Sequence, residues 1–274
     1  MFNAFKRLIK PSADVARFEK DGYIIFENAI AKNFLEQARN DLRRTIADNH
    51  DHIECLRYSQ MGKMSDFNLA DIFAEFNIVR ITNVEQYSAL FRDLALSEVV
   101  RTFLGDYYAA PPTLLQTLTY AYSSHQGEHS DLHLVSPPWA GDYKRDTLAA
   151  AWFALEDAGP ENGALVIYPG SHKIAKRKLD EFASYGEYTA YLKELMQSHG
   201  IAPKVFQAKA GDVLFWHGDF VHAGGIASDR DRSRFSFVCH YANIGAVSQA
   251  LRQYRLPEGG RKLYKAEGGA KIYL

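Results

Sequence analysis

The chain is poor in cysteine and has no excess of either charge. Its 274 residues include two cysteines, Cys55 and Cys239, which lie far apart and form no Cys-x-x-Cys pair. A structural zinc site of four cysteines is therefore excluded, and a disulfide framework is not supported. The 32 Lys and Arg against 33 Asp and Glu leave a formal charge of −1, so no overall basic surface points to nucleic acid. No apolar run approaches the ~20 residues that cross a bilayer. The opening stretch, Met1 to Lys10, lacks the uninterrupted apolar core of a signal peptide. There is no internal repeat, low-complexity tract or linker-like segment. These absences predict a cytoplasmic, reduced protein with neither a membrane nor a nucleic-acid partner.

What is present is an ordinary globular composition, 47% hydrophobic and 24% charged. The 17 Phe, 16 Tyr and 3 Trp suit a sheet-rich core. Ser12 to Lys20 reads as a short helix with Ser12 as its N-cap. Tyr23 to Phe26 reads as a strand, and Ala31 to Asp48 as an amphipathic helix with Phe34, Leu35, Ala38, Leu42 and Ile46 on one face. Asn49 to Asn68 is polar and irregular, a loop or a lid. Val84 to Leu94 and Leu96 to Leu104 read as helices closed by Gly105. After Pro111-Pro112 the texture changes to short strands separated by Gly/Pro turns, interrupted by one helix from Glu181 to Ser198. That pattern argues for a sandwich or barrel. The expected organisation is a single domain over 1–274: mostly helical support in 1–110, a β-rich core in 111–245, and a C-terminal tail in 246–274.

Chemistry concentrates in His129-Ser130-Asp131, which follows the strand-like run Leu114 to Tyr122. In a strand, residues two apart face the same side, so His129 and Asp131 can converge on one ion while Ser130 points away. His222 lies far downstream, before Gly224-Gly225, where the backbone can turn sharply. Two histidines and a carboxylate are the ligand set of non-haem Fe(II) oxygenases. The competing reading is that all three are ordinary polar loop residues, because a His-x-Asp triplet is common. A second motif overlaps the first: His125-Gln126-Gly127-Glu128-His129 matches an inverted zinc-peptidase signature. That chemistry needs a helix, and Ser123-Ser124, Gly127 and the strand-like run upstream oppose one. His50 and His52 read as solvated loop residues, and His217 as a hydrogen-bonded histidine near a strand end; His240 is a further conceivable ligand. Arg234 next to an apolar strand is either a buried anchor for a carboxylate or a strand-edge cation facing water.

Taken in order, these segments resemble the phytanoyl-CoA dioxygenase family of Fe(II)/2-oxoglutarate oxygenases. The resemblance is carried by Phe18-Glu19-Lys20-Asp21-Gly22-Tyr23, Gly127 to His133, Trp152-Phe153-Ala154-Leu155, Asn162-Gly163-Ala164-Leu165, Pro169-Gly170-Ser171-His172-Lys173, Gly211-Asp212, His222 to Gly225, and Arg234. It implies a β-rich α+β fold with a double-stranded β-helix (jelly-roll, cupin-like) core and flanking helices mainly from the N-terminal part. It implies Fe(II) on His129, Asp131 and His222, and 2-oxoglutarate with its distal carboxylate on Arg234 and with Trp152 nearby. It also implies that a residue on the preceding strand, Gln116, Leu118 or Tyr120, completes that pocket, and that O2 is the oxidant. The implied reaction hydroxylates an unactivated C–H of a small polar metabolite while 2-oxoglutarate is decarboxylated to succinate. Halogenases of this superfamily resemble the same pattern with a small residue at the carboxylate position, so Asp131 favours hydroxylation or a related oxidation. Two departures stand out. Gly224 replaces a frequent serine, and the spacing from His222 to Arg234 leaves Arg232 as an alternative anchor. His133, Trp139, Tyr143 and Arg145 are candidate substrate contacts. The rivals are a jelly-roll binding protein without turnover and a zinc hydrolase using His125, Glu128 and His129.

Overall fold

The computed structural model describes residues 12–57, 60–74, 79–134, 148–243, 263–265 and 271–273. In chain order the elements are α1 (Ala13–Asp21), β1 (Tyr23–Phe26), α2 (Lys32–Asn49), β2 (Glu54–Arg57), β3 (Gln60–Lys63), β4 (Val79–Thr82), α3 (Ala89–Ala95), α4 (Glu98–Tyr108) and β5 (Pro112–Tyr120). There follow α5 (Asp131–Leu134), β6 (Leu148–Ala154), β7 (Leu165–Ile167), α6 (Tyr185–Ser198), β8 (Lys204–Phe206), β9 (Val213–His217), β10 (His222–Ala223), β11 (Ser236–Asn243), β12 (Leu263–Lys265) and β13 (Lys271–Tyr273).

Local chemistry sets the ends of α1. The Ser12 hydroxyl accepts from Val15 N at 3.3 Å, and Gly22 at φ +82° donates its N–H to Phe18 O at 2.7 Å. Both are ordinary solutions to orphaned helix-end groups. The strands form two antiparallel sheets. The larger runs β1-β9-β6-β11-β5-β4-β2-β3, with β13 also on β5 and β12 on β13; the smaller runs β10-β7-β8.

Alternation along the central strands builds three layers. On the outer face of the large sheet, Ala149, Ala151, Phe153, Phe215 and Phe237 join Phe18, Phe91 and Phe103 beneath α1, α3 and α4. Each fully buried Phe there contributes roughly 1.5–3 kcal/mol. On its inner face, Ala150, Trp152, Leu214, Trp216 and Val238 meet Leu165, Ile167 and Phe206 of the small sheet. The far side of the small sheet is covered by α6, whose Tyr188, Leu192 and Met196 pack on Tyr168 and Val221. All seven residues of β6 are buried because both of its faces are covered. This is the jelly-roll sandwich expected from the sequence.

The structure alters several local readings. The polar 49–68 stretch contains the hairpin β2-β3, joined to the large sheet through β4. The first 110 residues thus supply four short strands as well as helices. Gly105 lies inside α4, which ends at Tyr108 with Ala109 at φ +50°. The later helix starts at Tyr185, where the Ser184 hydroxyl caps Glu187 N. A register shift between His240 and Tyr241 pairs Gln116 with His240 and Leu114 with Tyr241, leaving Leu115 as the extra residue of a bulge. Gln116 and His240 pair in the regular register that precedes the bulge, side by side on the inner face.

Candidate metal centre

The chain leaves β5 and runs along the edge of the small sheet. His129 and His222 exchange both backbone hydrogen bonds at 3.0 Å, and Gly224 N donates to Gln126 O at 2.9 Å. Close approach, rather than a turn, explains the paired glycines. A Cβ on Gly225 would lie 2.1 Å from Ala164 O, and one on Gly224 would lie 2.7 Å from the Ser124 hydroxyl. Neither glycine has a positive φ, so the sharp turn expected there is replaced by tight packing. The serine hydroxyl that the sequence lacks at position 224 has no room, since Ser124 fills its place.

His129 and Asp131 do converge, but not as strand neighbours. His129 sits in an isolated bridge and Asp131 opens α5. Ser130 points away, its hydroxyl shared between Gly218 O at 3.0 Å and Asp219 Oδ1 at 3.2 Å. Asp219 in turn pairs with the buried Lys176 at 3.1 Å. Asp131 Oδ1 lies 3.8 Å from Nε2 of His129 and 3.8 Å from Nε2 of His222. The three ligand atoms fall within 4.8 Å of one another, and all three residues are buried. Among the described residues this is the only His/Cys/Asp/Glu group so arranged.

The surroundings prepare these groups for a cation. His129 Nδ1 faces Gly127 O at 2.7 Å, and His222 Nδ1 faces Phe220 O at 3.2 Å. Placing the N–H on Nδ1 in both rings leaves each Nε2 lone pair aimed at the centre. Burial, with His222 alongside, pulls the pKa of His129 down to about 3. Burial also lowers that of His222. Both imidazoles are therefore neutral at pH 7, the form that ligates. Burial opposes ionisation of Asp131, but His222, His240 and His129 outweigh it and hold the carboxylate below its ordinary range. Two neutral imidazoles and a carboxylate fit Fe(II).

Two neighbours of Asp131 went unassigned in the sequence. The Trp216 indole N–H donates to Asp131 Oδ2 at 2.6 Å, and His240 Nε2 lies 3.2 Å from the same oxygen. Trp216 does follow the alternation of β9, with Leu214 and Trp216 facing inward. Which ligand it meets depends on a contact 85 residues away in sequence. His240, a conceivable ligand from its residue type, stands behind the carboxylate instead.

Arg234 is 2% exposed, so the solvent-facing alternative is excluded. Its Nη1 donates to Gly163 O at 2.7 Å, its guanidinium lies 5.9 Å from the Trp152 ring, and its Nε has no partner. No carboxylate pairs with it among the described residues, and burial lowers its pKa to about 10. The alternative anchor, Arg232, is exposed and paired with Glu161 at 3.2 Å. Trp152, Leu118 and Tyr120 share the inner-face cluster, and Gln116 lies 3.3 Å from His240. All three candidates on β5 therefore have the inward phase.

The zinc-hydrolase geometry is absent. Residues 123–127 are not helical, and His125, at φ +50°, accepts the Ala227 N–H on its Nε2 at 3.2 Å. Glu128 is held by Tyr168 at 2.9 Å and Lys193 at 3.2 Å. His50 and His52 are exposed, and His217 accepts from Asp219 N at 3.0 Å, as their sequence context implied. Trp139, Tyr143 and Arg145 lie outside the described residues, as does the side chain of His133.

A jelly roll with a buried two-histidine, one-carboxylate cluster fits the class of 2-oxoglutarate-dependent non-haem iron oxygenases. Comparison with known proteins agrees. The profile of the phytanoyl-CoA dioxygenase family matches residues 18–234, and the chain belongs to that family. Human peroxisomal phytanoyl-CoA dioxygenase is 22% identical over 274 residues, covering 93% of this chain and 77% of the relative. A probable phytanoyl-CoA dioxygenase of Caenorhabditis elegans is 24% identical, covering 85% and 75%. Among solved structures, EctD from S. alaskensis with bound Fe superposes with a TM-score of 0.63 at 19% identity, covering 86% of this chain and 78% of that one. The epimerase SnoN, solved with Fe3+, alpha ketoglutarate and nogalamycin RO, gives 0.61 at 21%, covering 90% of each. The protein is a 2-oxoglutarate-dependent iron oxygenase that uses O2. No helix among the described residues is long and apolar enough to cross a membrane.

Proposed function

We propose that His129, Asp131 and His222 hold the Fe(II), that Arg234 binds the distal carboxylate of 2-oxoglutarate, and that the enzyme hydroxylates an unactivated C–H of a small polar metabolite. When bound, the iron supplies oxidative decarboxylation of 2-oxoglutarate to succinate and CO2 coupled to C–H oxidation. The observation that carries this reading is Arg234. A buried guanidinium without an anionic partner is costly, and this one lies 5.9 Å from the ring of Trp152 on the inner face of the large sheet, the face that also carries Trp216, the hydrogen-bond partner of Asp131. A dicarboxylate reaching from metal to Arg234 supplies the missing charge. Trp152, Tyr120 and Leu118 share the inner-face cluster, and Gln116 lies 3.3 Å from His240, which places all four where they can complete that pocket. Asp131 occupies the position whose carboxylate favours hydroxylation over halogenation.

A polar, acidic substrate is supported by Arg80. It stands directly across from Tyr120 in the β4-β5 pairing and so shares the inner face. It forms no ion pair among the described residues, and its Nε is buried without a partner. A half-buried cation on this wall suits a carboxylate or phosphate on the substrate. With 2-oxoglutarate and Mn(II) saturating, small carboxylates and phosphates are expected to raise the melting temperature of the wild type but not of Arg80→Gln. Equal stabilisation of both proteins, or no preference for acids over neutral analogues, sinks this part of the reading.

The central claim is tested by anaerobic reconstitution with Fe(II) and 2-oxoglutarate. A visible metal-to-ligand charge-transfer band is expected only when both are present. If no band forms, the assignment of the site fails.

A further inference from the structure

The two oxygens of Asp131 have different surroundings. Oδ1 faces the histidines, 3.8 Å from each Nε2. Oδ2 takes the Trp216 N–H at 2.6 Å, with His240 Nε2 at 3.2 Å. The Trp216 ring also lies against His222, with centroids 4.5 Å apart. One indole, 2% exposed, therefore touches two of the three ligands. Resting on the ligand set proposed above, we infer that Trp216 is a positioning residue: it reserves Oδ1 of Asp131 for the iron and withholds Oδ2, so that the carboxylate ligates through one oxygen.

The physical argument is one of denticity. A carboxylate free to rotate can present both oxygens to an ion, taking a position that 2-oxoglutarate and O2 need. A hydrogen bond to a charged acceptor is shorter and about twice as strong as a neutral one, and this one lies in a water-poor interior. Letting Oδ2 swing to the metal would break it and leave a buried N–H unpaired. The fold fixes the donor rather than leaving it to chance. Trp216 is opposite Ala150 in the β9-β6 ladder and opposite Tyr23 in the β9-β1 ladder. The small Ala150 leaves room for the indole, and strands on both sides fix its backbone. Behind Oδ2, His240 is steadied by Gln116, its partner in the β11-β5 register, at 3.3 Å.

The test uses two variants. Trp216→Phe keeps a ring against His222 and loses the N–H. Incorporating 3-benzothienylalanine at position 216 keeps the indole's shape and removes only the N–H, so folding is preserved. Co(II) and Mn(II) titrations of the metal-free proteins are the first readout, and the Co(II) visible spectrum, whose intensity follows coordination number, is the second. Both variants are expected to bind Co(II) ~10-fold or more weakly, in the range of outer-sphere substitutions, with a changed band intensity. A purely structural Trp216 would lower the melting temperature of Trp216→Phe and leave metal affinity and spectrum of the isosteric variant untouched; that result overturns the inference. If the wild type itself binds no Co(II), the ligand assignment fails instead, which is a separate outcome.

Discussion

His222→Ala is expected to give a folded protein that holds no stoichiometric Fe(II) and consumes no 2-oxoglutarate above background. The backbone of residue 222 is tied to His129 by two hydrogen bonds that a side-chain truncation leaves in place, so β10 and the bridge to the His129 segment survive. What disappears is one of the three proposed donors. Losing a partner outside the ligand set typically costs 10–100-fold in metal affinity, so losing a ligand should exceed ~100-fold. Two controls separate ligation from burial. His217→Ala also removes a buried histidine, one that caps the Asp219 N–H; it should lower the melting temperature but retain one iron per chain. His125→Ala should retain iron too, because its Nε2 already accepts from Ala227. Metal analysis of the three purified variants, with circular dichroism to confirm folding, decides the matter. Full iron content in His222→Ala would sink the ligand assignment.

The parts of the molecule legible from sequence are those set by short-range periodicity. That Gln116, Leu118 and Tyr120 share one face follows from alternation along a strand, and the structure shows that face to be the inner one. The 49–68 hairpin left no such mark. Glu54–Arg57 and Gln60–Lys63 are four-residue strands at the end of the large sheet, where one polar face meets solvent and β-propensity is weak. The convergence of His129 and Asp131 was right for the wrong reason. The triplet lies where a bridge gives way to α5, and Ser130 turns away to meet Asp219. Such tertiary partners have no local signature. Trp216 and His240 come from strands that lie far from Asp131 in sequence, and only the sheet order brings their side chains to one oxygen. Arg234 was ambiguous for the same cause: exposure depends on what covers the end of β11, and the cover is the loop at Gly163.

Arg234→Met is expected to separate function from stability in opposite directions. The native guanidinium is buried with one hydrogen bond, to Gly163 O, and no carboxylate among the described residues. Burial lowers its pKa to about 10, so the surroundings of the guanidinium disfavour its charge. Replacing a buried ion pair by apolar side chains of similar volume is often neutral or stabilising by about 1–4 kcal/mol, and an unpaired buried charge has less to offset its burial. The orphaned Gly163 carbonyl returns about 1–3 kcal/mol of that. The 2-oxoglutarate-free variant should therefore melt no lower than the wild type. Binding should suffer heavily, because truncating one partner of a buried, hydrogen-bonded charge pair costs about 2–5 kcal/mol. That corresponds to a rise in the 2-oxoglutarate KM of roughly 30-fold to several thousand-fold. The wild type should also gain stability as 2-oxoglutarate is added, by ~2.7 kcal/mol at a hundred times its Kd, and the variant should not. Arg234→Lys keeps the charge but loses the two-pronged geometry, so it should fall between the two. A variant that melts well below the wild type yet keeps its full thermal shift with 2-oxoglutarate would make Arg234 a structural residue of the Gly163 loop. A buried cation that costs the empty protein stability and is repaid only by a dicarboxylate is instead a binding residue, and that opposite pair of shifts is its signature.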